Sequence, residues 1–482
     1  MSPELLERYH EAIDRLDALI ASTPSRTDTS REAVRRRAAE RMGRLRNFLA
    51  FLGDPAAAIP KIHIGGTSGK GSTTTALAAI LSAAGYRTGA HTSPYLQVPS
   101  EKLHFDGDLI DAERFVRLVD HLLAALAEFP DADHITYGEA WIALVMLFLE
   151  DIGAEVGIIE VGAGGRFDLS NIVDPELAII TSVGIDHTNT LGDTIEQIAW
   201  HKAGIIKPGR LALSTVDDPR AQPFMREEAA AVGACLREVD MATAIRDIQL
   251  SDIETSWVEA ATGQRWTIGM AGRFQARNGQ AAREAARMLA QRGWRIADAA
   301  IDRGLRAARI PGRAERMPGE PRTMLDGAHN AQKVTALAAD LPELLPVPEG
   351  ARRIIVLGAL EAKQVREALA TLLPHADMLI ATSPRVFGKE ARAADDLAAL
   401  AREVGFGDRA LPIADPREAL ERARTVSKPG RADAILVTGS LYLVGNIRDL
   451  WYPADRIAMA GTPWPIDGAP GDMATTHAGA RP

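Results

Sequence analysis

Cysteine is almost missing from this chain of 482 residues, with Cys235 the single example. That excludes an internal disulfide framework and any cysteine metal cluster, and leaves Cys235 as a passive thiol. Basic charge is also in short supply. With 55 Lys+Arg against 64 Asp+Glu, the formal net charge is −9. This balance opposes nucleic acid or an anionic membrane as partner, so a small anionic substrate needs a local basic pocket. No charge-free apolar run reaches the roughly 18 residues of a membrane span. The opening stretch MSPELLERYHEA lacks the pattern of a signal peptide. These absences give the expectation of a cytoplasmic protein with neither membrane nor nucleic-acid partner. No repeat of solenoid length is visible, and a monomer is the default for an oligomeric state the sequence does not encode. What is present is ordinary globular material, 46% hydrophobic and 25% charged, with ample apolar mass for a core.

The chain is organised around Lys61 to Ser72, KIHIGGTSGKGS. Ile62 and Ile64 alternate with polar residues, as in a strand. Four glycines follow (Gly65, Gly66, Gly69, Gly71), and Ser72 to Ala84 reads as a helix. A strand, a glycine loop and a helix start make an anion seat, because backbone N–H groups converge where the helix carries partial positive charge. Lys70 adds a full charge for terminal phosphates, and Ser72 or Thr73 offers a hydroxyl to magnesium. The strict pattern GxxxxGK[ST] is not met, since Gly71 stands between lysine and hydroxyl. A plain turn gains nothing from an ammonium, so the stretch is read as a nucleotide site.

Helical periodicity runs from Leu5 to Leu19. After a polar break at Ser22–Thr29, a second helix spans about Arg31 to Leu52. Its arginines (Arg35, Arg36, Arg37, Arg41, Arg44, Arg46) are interspersed with Glu32 and Glu40 and are read as a solvated face. Past the glycine loop, strands and helices alternate. Expected strands are 88–91, 156–161, 177–181 and 210–213; expected helices are 112–129, 137–151, 194–203 and 218–233. That predicts an α/β fold with a mostly parallel sheet and helices on both faces. From Ile248 to Ile268 an antiparallel hairpin is expected, appended to the sheet, then helices at 277–291 and 296–308. Ile310-Pro311-Gly312 is the best linker. The expected organisation is an N-terminal P-loop-type domain (1–309), a smaller C-terminal Rossmann-like α/β domain (310–455), and a disordered tail (456–482) rich in Gly, Pro, Ala and Thr.

Chemistry-bearing residues sit where predicted strands end. Thr92-Ser93-Pro94 follows one strand. Glu160 ends another and precedes Gly162, Gly164, Gly165 and Arg166, a carboxylate beside a loop open to a substrate. Thr181 to His187 (TSVGIDH) ends a third, and Lys202 lies fifteen residues beyond on a helix. Past the linker come Gly312-Arg313 and Asp326-Gly327-Ala328-His329-Asn330. In an open sheet, ligands gather at such loops.

Together GTSGKGS, TSPYL, EVGAGGRFDLSN, ITSVGIDHTNTLGDT, KAGIIKPG, PGRAE, LDGAHN and VTGSLYLVG make the chain resemble the folylpolyglutamate synthase/dihydrofolate synthase family of the Mur ligase superfamily. The likeness runs in order from about Leu6 to Trp451. It implies that ATP phosphorylates a carboxylate of a folate-type acceptor and that the amine of L-glutamate attacks the acyl phosphate. By motif, the resemblance implies that Gly66, Thr67, Ser68, Gly69, Lys70, Gly71 and Ser72 cradle ATP. Gln275, Asn278, Arg313 and Asp326 would complete the nucleotide site. Ser93 and Glu160 would hold one Mg2+, and His187 and a carbamylated Lys202 a second. His329 would act near the phosphates or glutamate; Gly164, Gly165, Arg166 and Ser440 would face the substrates. Catalytic weight falls on Lys70, His187, Lys202, Asp326 and His329.

The chain departs from the family pattern at Ser68 and Ser100 (usually Asn), Phe274 (His), Gly138 (Phe) and His201 (Glu). It also has Ala362-Lys363-Gln364 in place of Asp-Lys-Asp. None removes a phosphate or metal ligand, but several concern the acceptor pocket. Two alternatives follow: a ligase of the same chemistry acting on a non-folate carboxylate, and a non-catalytic nucleotide-binding protein.

Overall fold

The computed structural model describes residues 3–21, 31–361, 365–386, 389–427, 430 and 432–465. The break at 22–29 and the departure at 362–364 lie outside the described residues. The N-terminal lobe is built on an eight-stranded sheet: β1 (Lys61–Gly65), β2 (Thr88–His91), β3 (Leu103–Phe105), β4 (Asp108–Leu109), β5 (Val156–Glu160), β6 (Leu177–Ile180), β7 (Leu211–Ser214) and β8 (Cys235–Glu238). Their order is β4-β3-β2-β5-β1-β6-β7-β8. The pairs among β2, β5, β1, β6, β7 and β8 are parallel, while β3 and β4 add an antiparallel edge. β1 and β5 are buried along their whole length, as expected of parallel strands covered on both faces.

The predicted hairpin forms, but not as an extension of that sheet. β9 (Ile245–Leu250), β10 (Thr255–Glu259) and β11 (Arg265–Ile268) make a separate antiparallel sheet. Trp257 and Trp266 are fully buried from it against the helix Arg273–Gln291. There Gly279 leaves room for the Trp257 ring, which a Cβ would meet at 2.5 Å. The indole N–H of Trp257 donates to Gln280 Oε1 at 2.9 Å. Large apolar area, rather than strand pairing, fixes this sheet in place.

The C-terminal lobe has a six-stranded sheet: β12 (Glu315–Met317), β13 (Glu320–Leu325), β14 (Arg353–Leu357), β15 (Met378–Ala381), β16 (Ala410–Pro412) and β17 (Ala434–Thr438). The order is β12-β13-β17-β14-β15-β16, parallel except for β12.

The segment expected to be disordered from Arg456 begins instead as a helix, Ala454–Ala460, and residues to 465 are ordered. Ile457 and Ala458 enter the apolar core of the N-terminal lobe, and the N–H of Leu109 donates to Gly461 O at 2.8 Å. Fully buried Arg448 anchors the return through Glu315 (2.8 Å) and the carbonyl of Pro463 (2.7 Å). A buried guanidinium with this many acceptors is satisfied rather than stranded. Residues 466–482 lie outside the described ones.

Candidate active site

β2, β5, β1 and β6 are neighbours in that order. Their C-terminal ends therefore bring Ser93, Glu160, the glycine loop and Thr181-Ser182 to one sheet edge. The loop is pinned to the end of β6 by a small network. Ser68 N–H donates to Ser182 Oγ (2.9 Å), while Thr181 Oγ1 and Ser182 Oγ donate back to Ser68 O (2.7 and 3.0 Å). Gly69 has φ +88°, and a Cβ there would lie 2.4 Å from Asn278 Oδ1. Only glycine fits that turn. It feeds the helix Lys70–Ala83, whose first N–H groups point into the cleft. Lys70 Nζ reaches Gly66 O at 3.1 Å.

Glu160 ends β5 with 4% exposure. Its Oε2 accepts from Ser93 N–H at 2.9 Å and lies 3.5 Å from where a Cβ on Gly71 would stand. Burial raises its pKa, opposed by the charge of Lys70. Lys202 is 3% exposed. Burial, with the charge of Lys70 second, brings its amine down to about 7. Lys70, Glu160 and Lys202 thus belong to one electrostatic neighbourhood.

In the other lobe, β13 and β17 are adjacent and parallel, so Asp326 and Ser440 emerge side by side. Asp326 accepts from the N–H groups of Ala314 (2.9 Å) and Ala328 (2.8 Å). Burial pushes its carboxyl up and the Arg313 guanidinium down, while their attraction opposes both shifts. His329 Nδ1 meets Gly327 O at 2.8 Å, and its Nε2 lies 3.2 Å from Lys333 Nζ. The lobes touch across the loop. Ser68 Oγ donates to Gln332 Oε1 (2.9 Å) and Asn330 Nδ2 to Asp186 Oδ2 (3.0 Å).

A cavity of about 2720 Å³ opens between the lobes, lined by Gly66 to Ser72, Ser93, Glu160, Gly164, Gly165, His187, Lys202, Asn278, Arg313, Asp326, His329 and Ser440. Two expected members stand elsewhere. Arg166 turns away to pair with Glu228 and to stack on Trp200. Gln275 is fully buried behind the wall and accepts from Asn278 Nδ2 at 2.8 Å, so it positions Asn278 rather than lining the cavity. Conversely, part of the arginine helix is not a solvated face. Arg37, Arg41 and Arg44 line the cavity, and Arg44 forms a two-pronged bridge (2.9 and 3.2 Å) to Glu139, which has no exposure. Their spacing of four and three residues puts them on one helix face, a signal present in the sequence.

Among the described residues no three His, Cys, Asp or Glu side chains converge on a metal site. One buried carboxylate beside a phosphate seat still suits magnesium, which takes one or two carboxylates and draws further ligands from phosphates and water.

Residues 64–286 match the Mur ligase middle domain, and residues 312–441 match the Mur ligase, glutamate ligase domain. The chain is 32% identical to the dihydrofolate synthase/folylpolyglutamate synthase of Bacillus subtilis, over 84% of this chain and 94% of that one. It is 30% identical to the folylpolyglutamate synthase of Lacticaseibacillus casei, over 84% and 93%. A probable bifunctional folylpolyglutamate synthase/dihydropteroate synthase of Halobacterium salinarum is 33% identical, and the chain spans 49% of its length. Mycobacterium tuberculosis folylpolyglutamate synthase, solved with ADP and AMPPCP, superposes with a TM-score of 0.79 at 27% identity, over 92% of this chain and 99% of that one. A bifunctional folylpolyglutamate synthase/dihydrofolate synthase solved with Mn, AMPPNP and L-glutamate gives 0.70 at 28%, over 85% and 93%. Two lobes, a phosphate loop facing a buried carboxylate, and these likenesses lead to one conclusion: the chain belongs to the folylpolyglutamate synthase/dihydrofolate synthase family of Mur ligases.

Proposed function

We propose that the protein is an ATP-dependent ligase that joins L-glutamate to a carboxylate of a folate-type acceptor. The observation that carries this reading is one cavity shared by the phosphate loop, buried Glu160 and Lys202 from one lobe, and Arg313 and Asp326 from the other.

A carboxylate is a poor electrophile until one oxygen becomes a leaving group. The γ-phosphoryl group passes from ATP to an acceptor carboxylate oxygen, releasing ADP. The glutamate nitrogen then bonds to the acyl carbon, the carbon–oxygen bond to phosphate breaks, and the amine loses a proton. Both steps crowd anions together, so the chain's task is to hold them in line and offset their charge. Lys70 and the loop N–H groups serve the phosphates; Arg313, whose charge that of Asp326 favours, faces them from the other lobe. Ser93 and Glu160 would hold one divalent ion and His187 and Lys202 a second; such ions supply charge neutralisation at the transferred phosphoryl oxygens.

Lys202 fits that role only in altered form, because a second ammonium beside Lys70 would repel both metal and lysine. An amine near 7 is mostly neutral at pH 8; its nitrogen can bond to the carbon of carbon dioxide and release an N–H proton to solvent, leaving an anionic oxygen ligand. Intact mass of the folded protein in bicarbonate should show one added carbon dioxide, absent in Lys202→Ala. Activity after bicarbonate removal should fall most steeply below pH 7, where the amine protonates. Short carboxylates should partly restore Lys202→Ala; an unmodified Lys202 in a fully active enzyme would sink the carbamate assignment.

The reading as a whole is tested by ADP and phosphate release over a panel of acceptors, each with L-glutamate. Dihydropteroate and mono- or polyglutamylated tetrahydrofolates should give stoichiometric amide. Turnover only with acceptors lacking a pterin would replace it with the non-folate alternative.

A further inference from the structure

Lys333 has no part in the chemistry above, yet it lines the same cavity. It lies four residues past His329, in the first turn of the helix Ala331–Leu344. Asn330 caps that helix, its Oδ1 accepting from the backbone N–H of Lys333 at 3.0 Å. Two contacts press the helix start onto the phosphate loop and its surroundings. Ser68 Oγ donates to Gln332 Oε1 at 2.9 Å, and that oxygen lies 3.2 Å from where a Cβ on Gly184 would stand. Lys333 and Ala336, three residues apart and so on one helix face, both border the cavity. No acidic residue occupies this first turn, and a cation there meets the positive end of the helix dipole. The helix gains nothing from the charge of Lys333; an anion in the cavity would.

The ammonium is held at a defined point. His329 Nδ1 meets Gly327 O at 2.8 Å. A carbonyl only accepts, so Nδ1 carries the ring proton and Nε2 is an acceptor. Lys333 Nζ donates to that Nε2 at 3.2 Å. An anion is a stronger partner for an ammonium than a neutral imidazole, so a phosphoryl oxygen arriving in the cavity draws it across. Burial is the largest influence on Glu160 and on Lys202, and the charges of Lys70 and Lys333 are both felt at each. The two lysines, one from each lobe, thus flank the same space. Resting on the ATP-dependent reading of the preceding section, we propose that Lys333 is a catalytic residue, its Nζ donating to an oxygen of the γ-phosphoryl group from the lobe opposite Lys70. In that step the bond from the γ-phosphorus to the oxygen bridging to ADP breaks as a bond to the acceptor's carboxylate oxygen forms. The ammonium offsets the charge and gives up no proton. Lysine suits this task better than arginine, since its charge rides on a flexible stem and can pass between two acceptors. His329 is then a positioning residue that keeps the ammonium ready.

The test compares wild type, Lys333→Met, Lys333→Gln and Lys333→Arg by isothermal titration calorimetry with ADP and with AMPPCP, each with Mg2+, and then by turnover. AMPPCP carries a γ-phosphoryl group and ADP does not. Lys333→Met and Lys333→Gln should weaken AMPPCP by about tenfold, the worth of one charge-assisted bond, and leave ADP within about twofold. Lys333→Arg should recover part of the loss. At saturating substrates kcat should fall by about 10²-fold in both uncharged variants, while KM for L-glutamate stays within about twofold. The cap from Asn330 is made to the backbone N–H and so survives every substitution; Lys333→Gln serves if the methionine variant does not fold. Equal losses for ADP and AMPPCP, no loss for either, or a kcat within about twofold of wild type overturns the assignment. A wild type that binds neither nucleotide overturns the ATP-dependent reading as well; a wild type that binds both, with variants that do not tell them apart, overturns the role of Lys333 alone.

Discussion

Lys70→Ala should yield a folded protein whose turnover is lower by about 10³-fold or more, the scale on which loss of a charge aimed at a transferred group acts. The effect should fall on kcat rather than on KM for ATP alone, because loop N–H groups and the helix start still bind phosphate. Folding should survive, since the side chain's hydrogen bond is to Gly66, four residues away, and a local contact of this kind is worth about 1 kcal/mol. Circular dichroism and ADP release separate the two consequences. Activity within about tenfold of wild type would mean that the loop does not act on the reacting phosphate.

Glu160→Gln should cost turnover by about 10²-fold or more and raise the magnesium concentration needed for half-maximal rate. The change keeps size and leaves an amide oxygen for the N–H of Ser93, so geometry is spared while charge is lost. The same substitution should not destabilise the ligand-free protein and is expected to raise its Tm. The carboxyl is buried, its pKa is raised, and burial is the first cause. A raised carboxyl pKa means that the ionised form is less favourable in the folded chain than in the unfolded one. Folding is therefore penalised as pH rises through the ordinary carboxylate range, and glutamine removes that penalty. A lower Tm for Glu160→Gln without ligands would show that the carboxylate supports the fold rather than the chemistry.

The glycine loop and the strand ends were legible because their pattern is local. Apolar runs stop at glycines, hydroxyls and acids, and a parallel sheet gathers such ends at one edge. Short edge strands such as Leu103–Phe105 and Cys235–Glu238 carried too little pattern to be read. Arg37, Arg41 and Arg44 look solvated from local charge alone because what Arg44 meets, Glu139, is 95 residues away. Charge interspersion reports on solvation only when no such partner exists. Arg166 beside its glycines invited a substrate role, yet Glu228 lies 62 residues on and takes the guanidinium. The stretch after Arg456 has a disordered composition, but Arg448 and Glu315 give Pro463 and Trp464 somewhere to bind. Long-range satisfaction of buried polar groups was the information missing from composition.

The returning helix Ala454–Ala460 also sets how the enzyme can open. The chain passes between lobes once near Ile310–Gly312 and again after Arg448, where the C-terminal segment inserts Ile457 and Ala458 among the residues around Tyr9 and Leu109. A body pinned at two points swings about the line joining them and cannot twist freely about a single tether. If the lobes part, the two crossings would confine them to something like a gate on two hinges, carrying Arg313 and Asp326 along one arc relative to the loop.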